Sequence, residues 1–303
     1  MTIRFDEQVA IVTGAGNGLG KTYALALAAR GAKVVVNDLG ASLDGTGGSS
    51  KPAAEVVAQI EQQGGEAIAN GANVTKIDEV EKMVQVALEK WGRIDILINN
   101  AGILRDKTFL KAPLDDFMAV LNVHLMGSVN CSKAVWEVMH KQAYGRIVMI
   151  TSTSGLYGNF GQANYSTAKM ALVGLVQTLQ VEGQKYNIHV NALAPGAATR
   201  MVENLVSEEV ANRIQPEQVT SAVLFLASQH APQRTIIASA GGLVSRVYIG
   251  ETEGVQLQGD ELTPENIASL WEEISNLEKI QVYPSVIHRD KILSQRWQQP
   301  ELY

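Results

Sequence analysis

Short apolar runs rich in β-branched residues alternate along the chain with longer amphipathic stretches. Nearly continuous apolar runs are typical of strands that are buried on both faces of a sheet. The alternation predicts an α/β fold of the Rossmann type, with a doubly wound parallel sheet and helices on both faces. The predicted strands lie at 9–14, 33–38, 66–74, 95–102, 145–152, 188–196 and 234–239, and the predicted helices at 21–31, 53–65, 79–92, 115–142 and 163–186.

Two segments interrupt this alternation. The stretch 39–55 is rich in Gly and Ser, which predicts a loop beside the second strand. Near the C-terminus, 262–274 has Thr263 as a helix N-cap followed by Pro264 at the first helical position. We therefore predict a single Rossmann domain over 1–245 and a C-terminal extension, 246–303, packed on it.

Composition and charge exclude several classes of protein. The chain has 303 residues and a formal net charge of -6, which argues against a general nucleic-acid binder because such proteins carry a basic face. The single cysteine, Cys131, permits neither an intrachain disulfide nor a cysteine-based metal cluster. The five histidines lack metal-ligand spacing, so we expect no metal.

The sequence also bears on location. Residues 1–12 lack the features of a signal peptide, and no apolar run approaches the roughly 18 residues that span a bilayer. The C-terminal Glu-Leu-Tyr is not a peroxisomal signal of the Ser-Lys-Leu kind. We expect a soluble, cytoplasmic protein without membrane or nucleic-acid partners.

A glycine-rich turn joins the first predicted strand to the first helix. Its glycines allow backbone N–H groups to approach a pyrophosphate at the helix N-terminus, although a tight strand–helix turn would also explain the motif alone. Asp38 ends the next predicted strand, where a carboxylate accepts hydrogen bonds from an adenosine ribose and repels a 2′-phosphate. The combination predicts an NAD site and disfavours NADP.

Tyr165 and Lys169 lie one helical turn apart, with Ser152 upstream at the end of a predicted strand. Bringing a tyrosine pKa from ~10 to about 7 requires roughly 4 kcal/mol of phenolate stabilisation, which a nearby ammonium can supply. Ser152 could then align a substrate hydroxyl for Tyr165, with Ser154 as a rival for that role. A serine hydrolase is disfavoured because the chain has no G-x-S-x-G elbow.

These motifs resemble those of the short-chain dehydrogenase/reductase family over roughly residues 5–245. The resemblance rests on "TGAGNGLG", "NNAG", Ser152 with "YSTAK", and "PGAAT". It implies Ser152, Tyr165 and Lys169 as the catalytic triad, with Asn122 holding a water for a proton relay to Lys169.

The same resemblance implies a set of cofactor contacts that includes Tyr165 and Lys169. The others are Gly14, Gly18, Leu19 and Gly20 at the pyrophosphate, Asp38 at the adenosine ribose, Asn73 and Val74 near the adenine, Asn100, Ala101 and Gly102 beside the central strand, and Pro195, Gly196, Ala197, Ala198 and Thr199 on the nicotinamide side.

A closer resemblance bears on the substrate. "VVVNDLG", "NNAGILRDKTF" and "LTPENI" are similar to the (3R)-hydroxyacyl-CoA dehydrogenase unit of multifunctional enzyme type 2, from fatty-acid β-oxidation. The chain has no room for the hydratase or sterol-carrier units of those enzymes, so we expect a stand-alone protein. Arg105 and Lys107 could contact CoA phosphates, although a solvated loop is the favoured explanation of both.

The leading interpretation is therefore an NAD-dependent oxidoreductase that interconverts (3R)-3-hydroxyacyl-CoA and 3-ketoacyl-CoA. Two alternatives stay open: the same chemistry on a steroid or another hydroxy compound, and a non-catalytic NAD-sensing scaffold. The intact set of Ser152, Tyr165 and Lys169 disfavours the scaffold. The apolar helices and the family resemblance lead us to expect a homodimer or homotetramer.

Overall fold

The computed structural model describes residues 2–197, 209 and 213–297. The chain divides between Arg246 and Val247 into two compact units. The predicted packing of the C-terminal extension on the main domain stays a prediction.

The larger unit is built on a mixed, mostly parallel sheet in the strand order β3-β2-β1-β4-β5-β6-β7-β8. All neighbouring pairs from β3 to β7 are parallel. This confirms the doubly wound Rossmann-type fold. The strands are β1 Val9–Thr13, β2 Lys33–Asn37, β3 Glu66–Asn70, β4 Ile96–Asn99, β5 Gly145–Ile150, β6 Ile188–Gly196, β7 Ile236–Ala240 and β8 Leu243–Val247.

Helices cover both faces of this sheet. α1, α2 and α8 contribute to one buried apolar layer with β1, β2 and β4, while α3, α5 and α7 pack on the other side. The helices of this unit are α1 Gly18–Ala28, α2 Lys51–Gln62, α3 Ile77–Trp91, α4 Leu114–Leu121, α5 Gly127–Gln142, α6 Thr153–Tyr157, α7 Ala163–Gly183 and α8 Pro216–Ala227, with a 3-10 turn at Gln184–Tyr186.

The second unit contains short helices. They are α9 Pro264–Ser269, α10 Trp271–Ile274 and α11 Val286–Trp297, with 3-10 turns at Gly259–Glu261 and Leu277–Lys279. Thr263 caps α9 as predicted, since its side chain accepts a hydrogen bond from the Asn266 N–H at 3.2 Å. Helical structure follows Thr263, but it is not continuous over 262–274, because the chain leaves helical geometry at Leu270 and begins again at Trp271.

The helix predicted over 115–142 is also interrupted. A π-helical turn, Asn122–Met126, separates α4 from α5. Such turns insert an extra residue into the helical ladder and are frequent at functional sites. α5 then approaches the segment after β3 so closely that a Cβ on Gly127 would lie 2.7 Å from the Val74 side chain. The widened turn thus changes the direction in which Asn122 and His124 are presented.

The parallel register brings the carboxyl ends of the central strands to one edge of the sheet. Thr13 at the end of β1 pairs with Asn37 at the end of β2, and β4 and β5 end beside them. In open α/β sheets this edge is where ligands bind. No helix in the described part of the chain is both long and apolar enough to cross a membrane.

Candidate active site

A cavity of about 430 Å³ opens at the carboxyl ends of β1, β2, β4 and β5. Fourteen of the residues predicted from the sequence line it: Gly14, Gly18, Leu19, Gly20, Asp38, Asn73, Val74, Asn100, Ala101, Gly102, Asn122, Tyr165, Lys169 and Pro195. Ser152 is buried beside it, and Gly196 and Ala197 follow Pro195 at the end of β6. Ala198 and Thr199 lie outside the described residues.

The glycine-rich turn fits against the loop after β4 with no room for side chains. A Cβ on Gly20 would lie 2.2 Å from the Gly14 carbonyl oxygen, and one on Gly14 would lie 2.8 Å from the Ala101 Cα. Asn100 joins the two segments, because its Nδ2 donates to the carbonyls of Thr13 (2.9 Å) and Gly14 (3.0 Å). The result is a backbone-lined cradle at the N-terminus of α1, suited to a pyrophosphate.

Asp38 is held rigidly at the end of β2. Its Oδ2 accepts from the Gly16 N–H at 2.7 Å, and its Oδ1 accepts from the Gly40 N–H at 2.6 Å. A carboxylate oxygen can accept more than one hydrogen bond, so both oxygens keep capacity for ribose hydroxyls. Asp38 therefore fixes the glycine-rich turn as well as placing a negative charge at the cavity wall.

Asn73 and Val74 form the wall beyond Asp38. The Asn73 side chain accepts a hydrogen bond from the Thr75 N–H (3.0 Å), and the backbone N–H of Asn73 donates to the Glu79 carboxylate (2.8 Å). The Val74 carbonyl accepts from the Asn130 side chain (2.9 Å). These bonds order a short segment that has no regular secondary structure. It lies on the side of the cavity where the sequence places an adenine.

Tyr165 and Lys169 meet at the other end of the cavity. Lys169 Nζ lies 5.5 Å from the centroid of the Tyr165 ring and donates to the Ile150 carbonyl at 2.6 Å. Thr151 anchors the same turn of α7 by donating to the Lys169 carbonyl at 2.7 Å. α7 thus presents both side chains on one face, as the four-residue spacing predicts.

Burial acts on both titratable groups of this pair. It lowers the pKa of Lys169 to about 7. It also raises the pKa of Tyr165, against the Ser152 hydroxyl, which lowers that pKa, and the charge of Asp106 adds to the rise. Desolvation thus disfavours both the phenolate and the ammonium, and the lowering of the tyrosine pKa by Lys169 together with a positive nicotinamide ring stays a prediction.

Ser152, rather than Ser154, is the serine that acts on the pKa of Tyr165. It caps α6, with its Oγ accepting from the Ser154 N–H at 3.1 Å. Ser154 contributes its backbone N–H to that cap. Of the two serines, Ser152 has the hydroxyl that lowers the pKa of the phenol, against the effect of burial.

His124 is a residue of this site that the sequence reasoning missed. Its ring packs edge-on against Tyr165, with centroids 5.2 Å apart. Its Nε2 accepts from the Ile103 N–H at 3.1 Å and lies 2.8 Å from the Ile103 carbonyl, while Nδ1 is buried without a protein partner among the described residues. Burial lowers the pKa of His124 well below its usual value, and the charge of Lys169 acts in the same direction.

The signal in the sequence that points toward His124 is its position two residues after Asn122. A lone histidine in a helix is more often a packing residue, so this signal was not sufficient. The structure adds that Gly102 lies opposite, where a Cβ would approach the ring to 2.2 Å. His124 lies in the π turn, which the sequence did not predict, and its ring contacts Tyr165.

Arg105 and Lys107 are both paired with one carboxylate. Arg105 Nη1 lies 3.1 Å from Asp116 Oδ1, and Lys107 Nζ lies 3.0 Å from Asp116 Oδ2. The loop is therefore ordered by ion pairs. Of the two cations, only Arg105 lines the cavity.

Comparisons with known proteins accord with this geometry. The model of the short chain dehydrogenase family matches residues 8–210, which include the cradle, Asp38, Ser152, Tyr165 and Lys169. The chain belongs to the short-chain dehydrogenase family. Members of this family are oxidoreductases that act on CH–OH groups.

Particular short-chain dehydrogenases are similar over most of the chain. Peroxisomal multifunctional enzyme type 2 of Mus musculus is 45% identical over 275 residues, which are 90% of this chain and 37% of that enzyme. The structure of the full-length Drosophila melanogaster enzyme of that name superposes with a TM-score of 0.82 at 33% identity, covering 98% of this chain and 50% of the other. The resemblance to the dehydrogenase unit of that enzyme is confirmed.

A hydroxysteroid enzyme shares the short-chain dehydrogenase fold as well. The structure of 7α-hydroxysteroid dehydrogenase in complex with NADH and 7-oxo glycochenodeoxycholic acid has a TM-score of 0.71 and 32% identity, and covers 79% of this chain and 95% of the other. This chain spans about a third of the mouse enzyme and half of the fly enzyme.

Among the described residues, no cluster of three or more His, Cys, Asp or Glu side chains could hold a metal ion.

Proposed function

We propose that this protein is an NAD-dependent dehydrogenase that interconverts a (3R)-3-hydroxyacyl-CoA and the 3-ketoacyl-CoA. The observation that carries the proposal is one cavity with two chemically distinct ends. Tyr165 and Lys169 lie at one end, and the glycine cradle and Asp38 lie at the other. Tyr165 and Lys169 would hold the reactive ring of a dinucleotide bound there, and Asp38 would hold its adenosine.

The residues present fit NAD. The cradle has only backbone where Gly14 and Gly20 approach their neighbours, so a pyrophosphate can contact N–H groups at the start of α1. Asp38 is fixed by Gly16 and Gly40 with its charge at the wall, which favours a ribose diol and repels a 2′-phosphate. When bound, oxidised NAD accepts a hydride at its nicotinamide ring and carries a positive charge there.

Within that arrangement, Tyr165 removes the proton from the substrate hydroxyl as the carbon loses its hydride. The Ser152 hydroxyl, which lowers the pKa of the phenol, orients the substrate oxygen. Lys169 is held by the Ile150 carbonyl beneath the ring, where it can bind ribose hydroxyls and take part in the return of that proton from Tyr165 to solvent. Asn122, at the start of the π turn and on the cavity wall, is placed to order a water for that return.

The relatives support the substrate class. The similarity extends over nine-tenths of this chain in a peroxisomal multifunctional enzyme type 2, and the sequence carries the "NNAGILRDKTF" segment of that subfamily. Arg105 and Lys107 do not strengthen the acyl-CoA assignment, since Asp116 already engages both. The alternative substrate is a hydroxysteroid, which the likeness to 7α-hydroxysteroid dehydrogenase favours.

The experiment is the initial rate of NAD reduction with separate (3R)- and (3S)-3-hydroxyacyl-CoA enantiomers and with a hydroxysteroid. We expect turnover of the R enantiomer alone, lost in Tyr165→Phe with NADH binding retained. Turnover of the steroid alone would replace the acyl-CoA substrate. NADH binding without turnover of any of these alcohols would favour the scaffold alternative.

We also propose that the protein associates with itself. Apolar side chains stay exposed on α4 and α7, among them Leu114, Met118, Met170 and Val181. A homodimer or homotetramer would cover them. Sedimentation equilibrium measures the state directly, and a monomer at micromolar concentration would contradict the proposal.

A further inference from the structure

The Gly- and Ser-rich segment after β2 contains a compact turn, Ser42–Thr46, here called the 42–46 turn. The Asp44 carboxylate accepts from the Ser42 hydroxyl at 2.6 Å and from the Thr46 N–H at 3.0 Å, and these groups lower the pKa of Asp44 to about 2. The Ser42 N–H donates to the Thr46 carbonyl at 2.8 Å. The turn therefore holds its own shape independently of the rest of the loop.

One side of the 42–46 turn forms part of the cavity wall. Ser42, Leu43 and Gly45 line the cavity together with Asp38 and Asn73. These neighbours are the residues assigned to the adenosine half of the cofactor. The turn accordingly borders the adenosine half of the cavity, between these residues and the segment that follows β4.

The other side of the turn is fastened to the segment that follows β4. The Leu104 N–H donates to the Leu43 carbonyl at 3.0 Å, and Arg105 Nε donates to the Asp44 carbonyl at 2.9 Å. A Cβ on Gly45 would lie 3.2 Å from the Ile103 side chain, so the backbone of the turn packs directly on that residue. The consecutive carbonyls of Leu43 and Asp44 thus accept hydrogen bonds from the consecutive residues Leu104 and Arg105.

Arg105 connects this fastening to the rest of the site. Its Nη1 donates to Asp116 on α4 at 3.1 Å, which orients the guanidinium. Its carbonyl accepts from Asn164 Nδ2 at 3.0 Å, and Asn164 Oδ1 accepts from the Tyr165 N–H at 2.7 Å. A guanidinium suits this role because its donors are planar and fixed relative to one another.

We propose that Arg105 is a positioning residue that locks the 42–46 turn over the adenosine half of the bound cofactor and slows cofactor release. The inference rests on the proposed function in that it takes the cavity as the NAD site. The 39–55 segment then has a role, because it supplies part of the cavity wall and Arg105 holds that part in place. The lock acts on cofactor affinity and leaves the chemistry at Tyr165 unaltered.

Lys107 provides a matched control. It pairs with the same Asp116 carboxylate at 3.0 Å, but it has no hydrogen bond to the 42–46 turn among the described residues. Lys107→Ala removes a cation from Asp116 and leaves the turn fastened. Arg105→Ala removes a cation from Asp116 and also unfastens the turn. Comparing the two isolates the contact with the Asp44 carbonyl.

The test measures NADH affinity by fluorescence titration and NADH release by stopped-flow displacement. We expect Arg105→Ala to weaken NADH binding about tenfold, as the loss of one charge-assisted hydrogen bond predicts, through faster release. Lys107→Ala should leave the NADH affinity within about twofold, as for a partly exposed ion pair. The rate constant kcat at saturating NAD should change far less than the NADH dissociation constant.

Hydrogen exchange of the protein without cofactor provides a readout on the turn itself. The Leu104 and Ser42 amides should exchange faster in Arg105→Ala than in Lys107→Ala, with equal melting temperatures. If Arg105→Ala folds poorly, Arg105→Lys keeps a cation beside Asp116 and lacks the Nε donor, so it should show the same faster release.

The outcomes separate the two proposals. Equal NADH release and equal amide exchange in the Arg105 variants and the wild type would overturn the lock. Failure of the wild type to bind NADH would instead contradict the proposed function, and the exchange data would still report whether Arg105 fastens the turn.

Discussion

Lys169 lies beneath the ring of Tyr165, with its Nζ 5.5 Å from the ring centroid and hydrogen-bonded to the Ile150 carbonyl at 2.6 Å. Lys169 is buried and Tyr165 is partly buried, and this desolvation shifts both pKa values toward the neutral forms, with that of Lys169 at about 7. In the protein without cofactor, the charged form of Lys169 is therefore disfavoured. In the proposed function, a positive nicotinamide ring beside the phenol would favour the phenolate and oppose the effect of burial on Tyr165.

Lys169 should make the stability of the cofactor-free protein depend on pH. Its folded pKa of about 7 is below the unfolded value, so between these values the unfolded chain binds more protons and stability rises with pH. From pH 7 to about 9 the gain should be roughly 2 kcal/mol. Lys169→Met should lack this gain. Urea unfolding midpoints of both proteins at the two pH values measure it, and parallel profiles would contradict the assignment.

The two serines of the α6 turn should differ sharply on substitution. Ser152→Ala removes the hydroxyl that lowers the pKa of Tyr165 and that orients the substrate oxygen in the proposed mechanism, so we expect kcat to fall at least ~100-fold. Ser154→Ala keeps the backbone N–H that the turn uses, so its kcat should stay within a few-fold. The measurement is the steady-state kcat of the two variants and the wild type at saturating NAD. Comparable losses in the two variants would mean that Ser152 has no special role.

Asp38 should have two effects. Its charge should set the preference between NAD and NADP, and its two carboxylate oxygens should hold the glycine-rich turn in shape. Asp38→Asn removes the charge and keeps one acceptor oxygen for Gly16 or Gly40, so the preference for NAD over NADP should fall about tenfold or more. Asp38→Ala loses both acceptors, so it should also weaken NAD binding. The ratio of kcat/KM values for the two cofactors is the measurement. An unchanged ratio in Asp38→Asn would place cofactor discrimination elsewhere.

Gly102 and His124 should be energetically coupled. A Cβ at position 102 would lie 2.2 Å from the His124 ring, so Gly102→Ala must displace the ring from Tyr165. We expect Gly102→Ala to destabilise the protein by about 1–3 kcal/mol, as other overpacked cores do, and to lower kcat. In a His124→Ala background the same change should cost much less. Urea unfolding of the four proteins tests this, and additive losses would contradict the coupling.

The protonation of His124 gives a second check on that residue. Burial lowers its pKa well below the usual value, so below about pH 6.5 the unfolded chain binds a proton that the folded protein does not. Stability should therefore decrease as pH falls through that range, and less so in His124→Phe. The phenyl ring keeps an edge contact with Tyr165 and cannot titrate. Equal acid sensitivity of the two proteins would show that His124 is protonated in the fold.

The order of β1 to β7 in the main domain was readable because each of these strands carries its own local pattern, whereas the helices α6 and α8 were not predicted. β1 and β2 are buried along almost their whole length and read as apolar runs. β8 was missed because its side chains are mostly exposed, with Leu243 at 70%, so no buried face marked it as a strand. Its only signal was Gly241–Gly242, both at positive φ, as short hairpin connections require.

The sequence by itself determined the residue types of the site and their spacing: the glycines of the cradle, Asp38 at a strand end, and Tyr165 one turn before Lys169. These follow from local geometry, since a tight turn, a strand end and a helical face are each encoded within a few residues. Only the tertiary structure decided what acts on them. The contact of the His124 ring with Tyr165 and the hydrogen bond from Arg105 to the 42–46 turn each join segments that are far apart in sequence. The desolvation of Lys169 comes from burial in the folded protein. Burial and long-range contacts are properties of the packed chain.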